Sequence, residues 1–349
     1  MSGFLRKLRK RISGNRIRPD LVCSEIFESV TILADGSVVC GCSDIHEGRL
    51  LGNVNKQSLS EIFHSEAYRE LRRRMISGKL PPQCVECPVR IRERSGRENI
   101  EGGPVIWIQV DPAFNCNLQC PDCALTEMRR EKFFIRPRTA MSLDTFKRII
   151  DQASGSLKHM RFHLLGEPFL NPEAASMLEY ARNNIPELFI SIETNGLLLR
   201  PEMRRILIEN GIDYVKFSID GASQETYEKY RVGGDFSLAY QNMADLVSDR
   251  RKAQSNRPRV VWQYILFKWN DSEEQIAEAK NLASKAGVDE LYWLMTHSPG
   301  ASERFTPGIS HPELKCDICS QNITIELAAR EGRPVKRSPL TLNEYNPWK

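Results

Sequence analysis

Apolar and polar residues alternate in six short stretches between residues 105 and 295, and this pattern predicts six β-strands. The stretches are VIWIQV (105–110), HMRFHLL (159–165), ELFISIE (187–193), YVKFSID (214–220), RVVWQYILF (259–267) and ELYWLM (290–295). Stretches with helical periodicity lie between these strands. In one of them Phe146, Ile149, Ile150 and Ala153 recur at i, i+3, i+4 and i+7, which predicts a helix that Ser142 is placed to cap.

Strands that alternate with helices predict a parallel sheet covered by helices, because a right-handed crossover needs about a dozen residues or more. Six such units form either an open doubly wound sheet or a partial barrel. In both architectures, ligands bind at the carboxyl ends of the strands. Four polar segments fall there: a three-cysteine turn, then GEP, TNG and DG after the next three strands.

The segment before residue 105 follows a different pattern. SVTILADGSVVCGC predicts a β-hairpin with Asp35-Gly36 at its turn, and SLSEIFHSEAYRELRRRMISG predicts a helix that precedes CVEC. We therefore expect four parts: a basic tail (1–19), a small cysteine-rich α+β domain (20–95), an α/β core domain (104–300) and a C-terminal tail with a CxxC (301–349).

The composition is that of an ordinary soluble protein, with 41% hydrophobic and 27% charged residues in 349. The sequence contains no run of 18 apolar residues and no apolar core of a secretory signal, so we expect a cytoplasmic protein. Thiols stay reduced in that compartment. Clustered cysteines among the ten are therefore expected to bind metal.

The net charge of +4 arises from the N-terminus, where residues 1–18 carry seven cations and no acid, which leaves the remainder at −3. We expect a solvated basic tail. A weak contact with a membrane surface or an acidic partner is the alternative, since Phe4, Leu5, Leu8 and Ile12 recur at roughly helical spacing. The slightly acidic body argues against nucleic acid as a partner.

The turn FNCNLQCPDC (114–123) has C-x3-C-x2-C spacing and follows the first core strand. Cys116, Cys120 and Cys123 supply three thiolates for one iron–sulfur cubane and leave one iron open to substrate or cofactor. Zinc is an alternative, but a structural zinc site needs four closed ligands, and the turn has neither a fourth cysteine nor a histidine nearby. Three unrelated buried thiols are the remaining interpretation.

These cysteines after the first strand and LGEP after the second resemble the radical S-adenosylmethionine superfamily over roughly residues 105–297. The resemblance implies a partial (βα)6 barrel whose 4Fe–4S cluster binds S-adenosylmethionine. Reductive cleavage then yields a 5′-deoxyadenosyl radical that abstracts hydrogen from a substrate. It also implies cofactor-binding roles for residues after successive strands: Gly166, Glu167, Thr194, Asn195, Ser218 and Arg231.

Cys23, Cys40, Cys84 and Cys87 form a C-x16-C-x43-C-x2-C set around the hairpin and helix. Four thiolates fully ligate one four-iron cluster, and zinc is the alternative for such a set. This region resembles the twitch or SPASM auxiliary-cluster domains of the same superfamily. The resemblance implies a second 4Fe–4S cluster that transfers electrons. Cys42, Cys316 and Cys319 stay unassigned.

An auxiliary cluster accepts the second electron of a substrate radical, so the resemblance favours a two-electron oxidation of a sugar-like or aminocyclitol-like small molecule. Peptide modification, such as crosslinking or epimerisation of a ribosomal peptide, is the alternative. A zinc-stabilised binding module is the alternative from another class. The reductive chemistry implies an electron donor of the flavodoxin or ferredoxin type.

Three polar residues mark the substrate side of the predicted barrel. His163 precedes LGEP, Gln263 lies inside an apolar strand, and His297 follows the sixth strand. We expect these side chains to face the substrate, with a histidine accepting the hydroxyl proton if the reaction is alcohol oxidation.

Overall fold

Ten strands form a single sheet in a computed structural model, which describes residues 23, 25–40, 50–79, 99–131, 139–296, 298–306 and 309–321. The order across the sheet is β10-β9-β8-β7-β6-β5-β4-β1-β2-β3. In chain order the strands are β1 (Ser29–Ile32), β2 (Ser37–Val39), β3 (Leu50–Asn53), β4 (Trp107–Val110), β5 (His159–Phe162), β6 (Phe189–Thr194), β7 (Tyr214–Ser218), β8 (Arg259–Leu266), β9 (Glu290–Met295) and β10 (Cys319–Gln321).

The six predicted core strands are confirmed as β4 to β9, which pair in parallel with each neighbour. Among the described residues the sheet does not close, since β10 and β3 are its two edges. This architecture confirms the prediction of a partial (βα)6 barrel. Alternate residues of each strand face the helices; Ile190, Ile192 and Thr194 of β6, for example, are buried.

Ten α-helices are described. They are α1 (Glu25–Glu28), α2 (Leu59–Phe63), α3 (Glu66–Ile76), α4 (Ala124–Glu131), α5 (Leu143–Ala153), α6 (Ala174–Asn184), α7 (Pro201–Glu209), α8 (Gln224–Glu228), α9 (Phe236–Lys252) and α10 (Glu273–Ala286), and two short 3₁₀ turns cover Pro168–Leu170 and Pro312–Leu314. Ser142 caps α5 as predicted, because its side chain accepts a hydrogen bond from the Thr145 amide. The apolar face of α5 packs into the main core.

The N-terminal hairpin is confirmed as β1 and β2, with Gly36 at a φ of +85°, a value that favours glycine. The prediction of a single helix after the hairpin is wrong, because that segment forms two helices, α2 and α3. Ser65 lies between the two helices and caps the N-terminus of α3, because its side chain accepts a hydrogen bond from the Tyr68 amide. The hairpin also extends the barrel sheet, since β1 pairs in parallel with β4 and places Thr31 beside Gln109.

The C-terminal segment adds the strand β10, which pairs in parallel with β9. The sequence pattern predicted no element in this segment. Cys316 and Cys319 form a disulfide at this strand, which differs from the expectation of reduced thiols. The basic tail, Cys42, Cys84, Cys87 and His297 lie outside the described residues. Within the described chain, the structure has no helix with the length and apolar character of a membrane span.

Candidate functional site

A cleft of about 140 Å³ opens at the carboxyl ends of β4 to β7. Ten of the residues predicted from the sequence line it, together with neighbours such as Leu165 and Glu193. The selected residues are Cys116, Cys120, Cys123, His163, Gly166, Glu167, Thr194, Asn195 and Ser218, and Arg231 joins them from the loop after α8. The parallel strands bring these residues together because their carboxyl ends share one edge of the sheet.

The three cysteines lie in the loop between β4 and α4, and donors from other loops surround their sulfurs. Leu118 donates its amide to Cys116 Sγ at 3.4 Å. The Asn195 side-chain amide lies 3.8 Å from the same sulfur, and Arg231 Nη1 lies 3.7 Å from Cys120 Sγ. Such donors favour sulfur ligands that carry negative charge, so the surroundings fit a thiolate-bound cluster.

Burial raises the pKa of the Cys120 thiol to about 11 and also raises the pKa of Cys116. Without a metal these thiols hold their protons, so cluster binding releases protons. No three His, Cys, Asp or Glu side chains among the described residues converge closely enough for one metal ion. A cubane does not require that convergence, because each thiolate binds a different iron.

Gly166 lies against the cysteine loop. A Cβ at this position would overlap the carbonyl oxygens of Ala113 and Asn115, so only glycine fits there. The next residue continues the contact, since the Glu167 amide donates to Asn115 O at 2.8 Å. Leu165 packs against the same small buried cluster as Cys116 and Cys123, which includes Phe114 and Leu125.

Glu167 connects the loop after β5 to the end of β6. Its buried carboxylate accepts hydrogen bonds from Thr194 Oγ1 and the Asn195 amide, both at 2.8 Å, and from the Phe169 amide at 3.3 Å. Burial outweighs these bonds and raises the pKa of Glu167 to about 7. The carboxylate therefore fixes the positions of Thr194 and Asn195 at the rim of the cleft.

Arg231 is paired with Asp220, the acid of the DG segment, to which the sequence had assigned no individual role. Its Nε lies 2.5 Å from Asp220 Oδ2, and Asp220 is fully buried. Burial would lower the pKa of Arg231, but Asp220 and then Cys120 raise it above its ordinary value. The guanidinium is thus a permanent cation that contacts a cysteine of the loop.

Glu193 at the end of β6 is the centre of a polar cluster beside the cleft. Glu193 of β6 receives Lys216 Nζ of β7 at 2.8 Å, and His163 Nε2 lies 3.3 Å from the same oxygen. Burial would raise the pKa of Glu193, but Lys216 and His163 hold it well below its usual range. Charged residues inside the otherwise apolar strands FISIET and YVKFS were the available sequence signal.

Gln263 is buried on β8 beside Ser218 of β7 and is not among the residues that line the cleft. His297 lies outside the described residues, so the three predicted substrate-side residues are not all placed. Their roles stay predictions.

Two cysteines of the N-terminal set lie together. Cys23 and Cys40 pack against the same buried group, formed by Ile26, Phe27 and Met75. Cys84 and Cys87 lie outside the described residues. The arrangement of the first two fits a shared ligand site at the junction of α1, β2 and α3.

Two family models match the chain. The model of the radical SAM superfamily matches residues 110–279, and the SPASM model, described as an iron–sulfur cluster-binding domain, matches residues 23–88. Both matches agree with the segments that carried the resemblance in the sequence.

Individual proteins are similar over part of their length. The tungsten-containing aldehyde ferredoxin oxidoreductase cofactor-modifying protein of Pyrococcus furiosus is 26% identical over 190 residues, which are 53% of this chain and 50% of that protein. The mycofactocin maturase MftC of Mycobacterium ulcerans is 25% identical over 139 residues, 39% of this chain and 34% of that protein. The chain thus spans half or less of these relatives.

Among solved structures, Streptococcus suis SuiB bound to S-adenosylmethionine is similar with a TM-score of 0.46 and 16% identity. That similarity covers 58% of this chain and 44% of SuiB.

Proposed function

Because this chain belongs to the radical SAM superfamily and carries an auxiliary SPASM-like domain, we propose that it oxidises a small polar molecule of the sugar or aminocyclitol type by two electrons. The supporting observation is that Glu193 and His163 line the cleft and lie 3.3 Å apart, with Lys216 paired to Glu193 behind them. Such a surface provides hydrogen-bond partners for hydroxyl and amino groups.

The radical SAM superfamily implies S-adenosylmethionine and a 4Fe–4S cluster that binds it, and the SPASM domain implies an auxiliary iron–sulfur cluster. When bound, the first two supply a 5′-deoxyadenosyl radical that removes a hydrogen atom from the substrate. In our proposal Cys116, Cys120 and Cys123 ligate the first cluster. Gly166 and Glu167 hold the backbone beside the methionine moiety, and Thr194, Asn195, Ser218 and Arg231 complete the cofactor site.

The chain's own residues would manage charge during the oxidation. A substrate alcohol that has lost one hydrogen atom must lose one electron and one proton to become a carbonyl. The proton passes to a base on the barrel side, for which His163 beside Glu193 is our candidate. Cys23, Cys40, Cys84 and Cys87 would hold the auxiliary cluster, which would supply an acceptor for the electron. An electron donor of the flavodoxin or ferredoxin type completes the proposal.

Peptide modification is the second candidate. It is supported by the 25% identity to a protein named mycofactocin maturase, although that match covers 39% of this chain. The two candidates differ in the molecule that loses hydrogen, so one labelling experiment separates them.

The experiment supplies the reduced, full-length enzyme with S-adenosylmethionine and either deuterated aminocyclitols and sugars or peptides encoded by neighbouring genes. Deuterium transfer into 5′-deoxyadenosine, with a product two hydrogens lighter, from a small molecule supports the first proposal. Transfer only from a peptide supports the second. The control is the variant with Cys116, Cys120 and Cys123 all changed to Ala, which should not cleave S-adenosylmethionine. Cleavage by that variant, or a colourless zinc protein without iron, would overturn both.

A further inference from the structure

The face of the barrel sheet that is turned away from the helices is mostly polar. Val30, Ile108 and Met160 pack into the main core with the helices, so the residues that alternate with them lie on the opposite, inner face. The inner residues of successive strands include Thr31, Gln109, Arg161, Ser191, Lys216 and Gln263. Buried polar groups need hydrogen-bond partners, so this face is suited to a polar ligand.

Three adjacent strands form one layer of this inner face, deeper in the barrel than the cleft. The register pairs Thr31 of β1 with Gln109 of β4, and Gln109 with Arg161 of β5. Arg161 lies two residues before His163, which lines the cleft, and two residues of a strand span about 6.6 Å. Through Thr31, the N-terminal domain therefore supplies part of the barrel wall beneath the cleft.

Polar atoms of this layer are buried without partners. Gln109 is 5% exposed and Thr31 is 0% exposed. The Gln109 amide nitrogen donates to His163 O at 3.0 Å, which identifies Oε1 as the atom left over. Neither this oxygen nor Thr31 Oγ1 has a hydrogen-bond partner within the described ranges, and His163 Nδ1 also lacks one there. Leaving buried polar atoms unpaired is unfavourable, so these three atoms indicate a ligand.

Arg161 adds a positive charge to the layer. Its guanidinium carbon lies 4.8 Å from the Trp107 ring centroid, and no hydrogen bond or ion pair holds the group among the residues that the structure describes. Contact with an aromatic face fixes a guanidinium while leaving the N–H groups at its edge open to a ligand. That planar fork of donors matches a carboxylate or a phosphate.

We propose that this layer binds an anionic group of the substrate. Arg161 pairs with a carboxylate or phosphate, and the Thr31 hydroxyl donates to the same group. Gln109 Oε1 and His163 Nδ1 accept hydrogen bonds from a neighbouring hydroxyl or amino group. Such a site, which presupposes the proposed function, narrows the substrate to acidic sugars or aminocyclitols. It also orients the molecule, because an anion held beside Arg161 leaves the remainder directed towards the cleft.

The test uses small molecules that carry only the recognised groups: lactate, inorganic phosphate and, as the neutral counterpart of lactate, propane-1,2-diol. Their binding to the full-length, cluster-loaded enzyme is measured by saturation-transfer NMR titration, with S-adenosylmethionine present to occupy the open iron. We expect saturable binding of lactate or phosphate and binding of the diol that is weaker by about tenfold or more, because the diol lacks the charge. Tighter binding of lactate indicates a carboxylate in the substrate, and tighter binding of phosphate indicates a phosphate ester.

Replacements of Arg161 test the cation directly. Arg161→Gln should weaken anion binding by about tenfold or more and leave diol binding unchanged. Arg161→Lys keeps the charge without the planar fork and should give an intermediate affinity. The control is Arg205→Gln, since Arg205 is exposed and pairs with Glu209 at 2.6 Å. Arg161→Gln should also keep the urea midpoint of the wild type, because no acid of the described chain depends on this cation; a purely structural arginine would lower it.

Thr31→Val removes the hydroxyl while preserving the shape of the side chain, and it should weaken anion binding several-fold. Anion affinities equal to that of Arg205→Gln in both Thr31→Val and Arg161→Gln would overturn the proposal. Equal binding of lactate and the diol by the wild type, or no saturable binding of either anion, would do the same.

The variant without the three cleft cysteines excludes an anion on the iron. Anion binding that survives Arg161→Gln but disappears in that cysteine variant would place the anion at the cluster and would overturn the proposal. None of these results decides the proposed oxidation, which fails separately if no small molecule transfers deuterium to 5′-deoxyadenosine.

Discussion

Asp220 Oδ2 lies 2.5 Å from the Arg231 guanidinium, and the two residues form a buried ion pair beside Cys120. Asp220 follows β7 and also accepts the Ile265 amide at 2.6 Å through its other oxygen. This carboxylate therefore fixes both the cation at the cysteine loop and the adjacent strand β8.

Removal of the carboxylate charge should destabilise the fold. Asp220→Asn leaves Arg231 buried without an anion, and breaking such a pair costs about 3–5 kcal/mol. We expect a clearly lower urea midpoint. The control is Glu209→Gln, which breaks the exposed Arg205–Glu209 pair and should cost about 1 kcal/mol or less. Equal, small shifts in the two variants would contradict the structural importance of the pair.

Two glycines provide a matched test of the contact between LGEP and the cysteine loop. Gly166→Ala places a methyl group against the carbonyls of Ala113 and Asn115. We therefore expect the free energy of unfolding to fall by about 1–3 kcal/mol and the iron content to decrease. Gly155→Ala enters open space and should change stability by about 1 kcal/mol or less. Urea midpoints and iron content check both, and full iron in Gly166→Ala would count against the contact.

The pKa of Glu167 predicts a specific pH dependence. Burial raises it to about 7 from an ordinary value of 4.5, so the folded protein binds this proton more tightly than the unfolded chain. The free energy of unfolding should therefore fall as the pH rises from about 4.5 through about 7, by roughly 3 kcal/mol. Stability of the wild type relative to Glu167→Gln, measured at pH 5 and pH 8, should show this fall. A difference independent of pH would show that Glu167 does not titrate there.

Cys84→Ala combined with Cys87→Ala should separate cofactor cleavage from product formation. Iron should fall from about eight to about four atoms per chain, since one four-iron cluster is lost. Formation of 5′-deoxyadenosine should continue while oxidised product decreases, because the barrel site keeps its own cluster. Iron analysis and product quantification test this, and an unchanged iron content would refute the ligand set.

His163→Ala and His297→Ala should each lower the ratio of oxidised product to 5′-deoxyadenosine under dithionite. The reason is that a base must take the hydroxyl proton, and His163 Nε2 already lies 3.3 Å from Glu193. His64→Ala, in the N-terminal region, is the control and should preserve the ratio. If both test variants also preserve it, neither histidine takes part in the proton transfer.

Local features of the fold were predictable from the sequence. Six alternating stretches correspond to β4–β9, and Asp35-Gly36 marks the observed hairpin turn. The spacing of Cys116, Cys120 and Cys123 predicted that these residues belong to one site, and all three line the cleft. These signals are readable because strand alternation, turn conformation and ligand spacing depend on residues close together in the chain.

The tertiary structure decided which residues that are distant in the chain become neighbours. The pairing of β1 with β4 joins segments more than seventy residues apart, and Glu193 meets Lys216 because the register of β6 and β7 places them side by side. Asp220 meets Arg231 only after α8 returns the chain to the cleft. An alternating pattern shows which face of a strand is buried, but it does not identify the neighbouring strand or its register, and those set the partners of each charge.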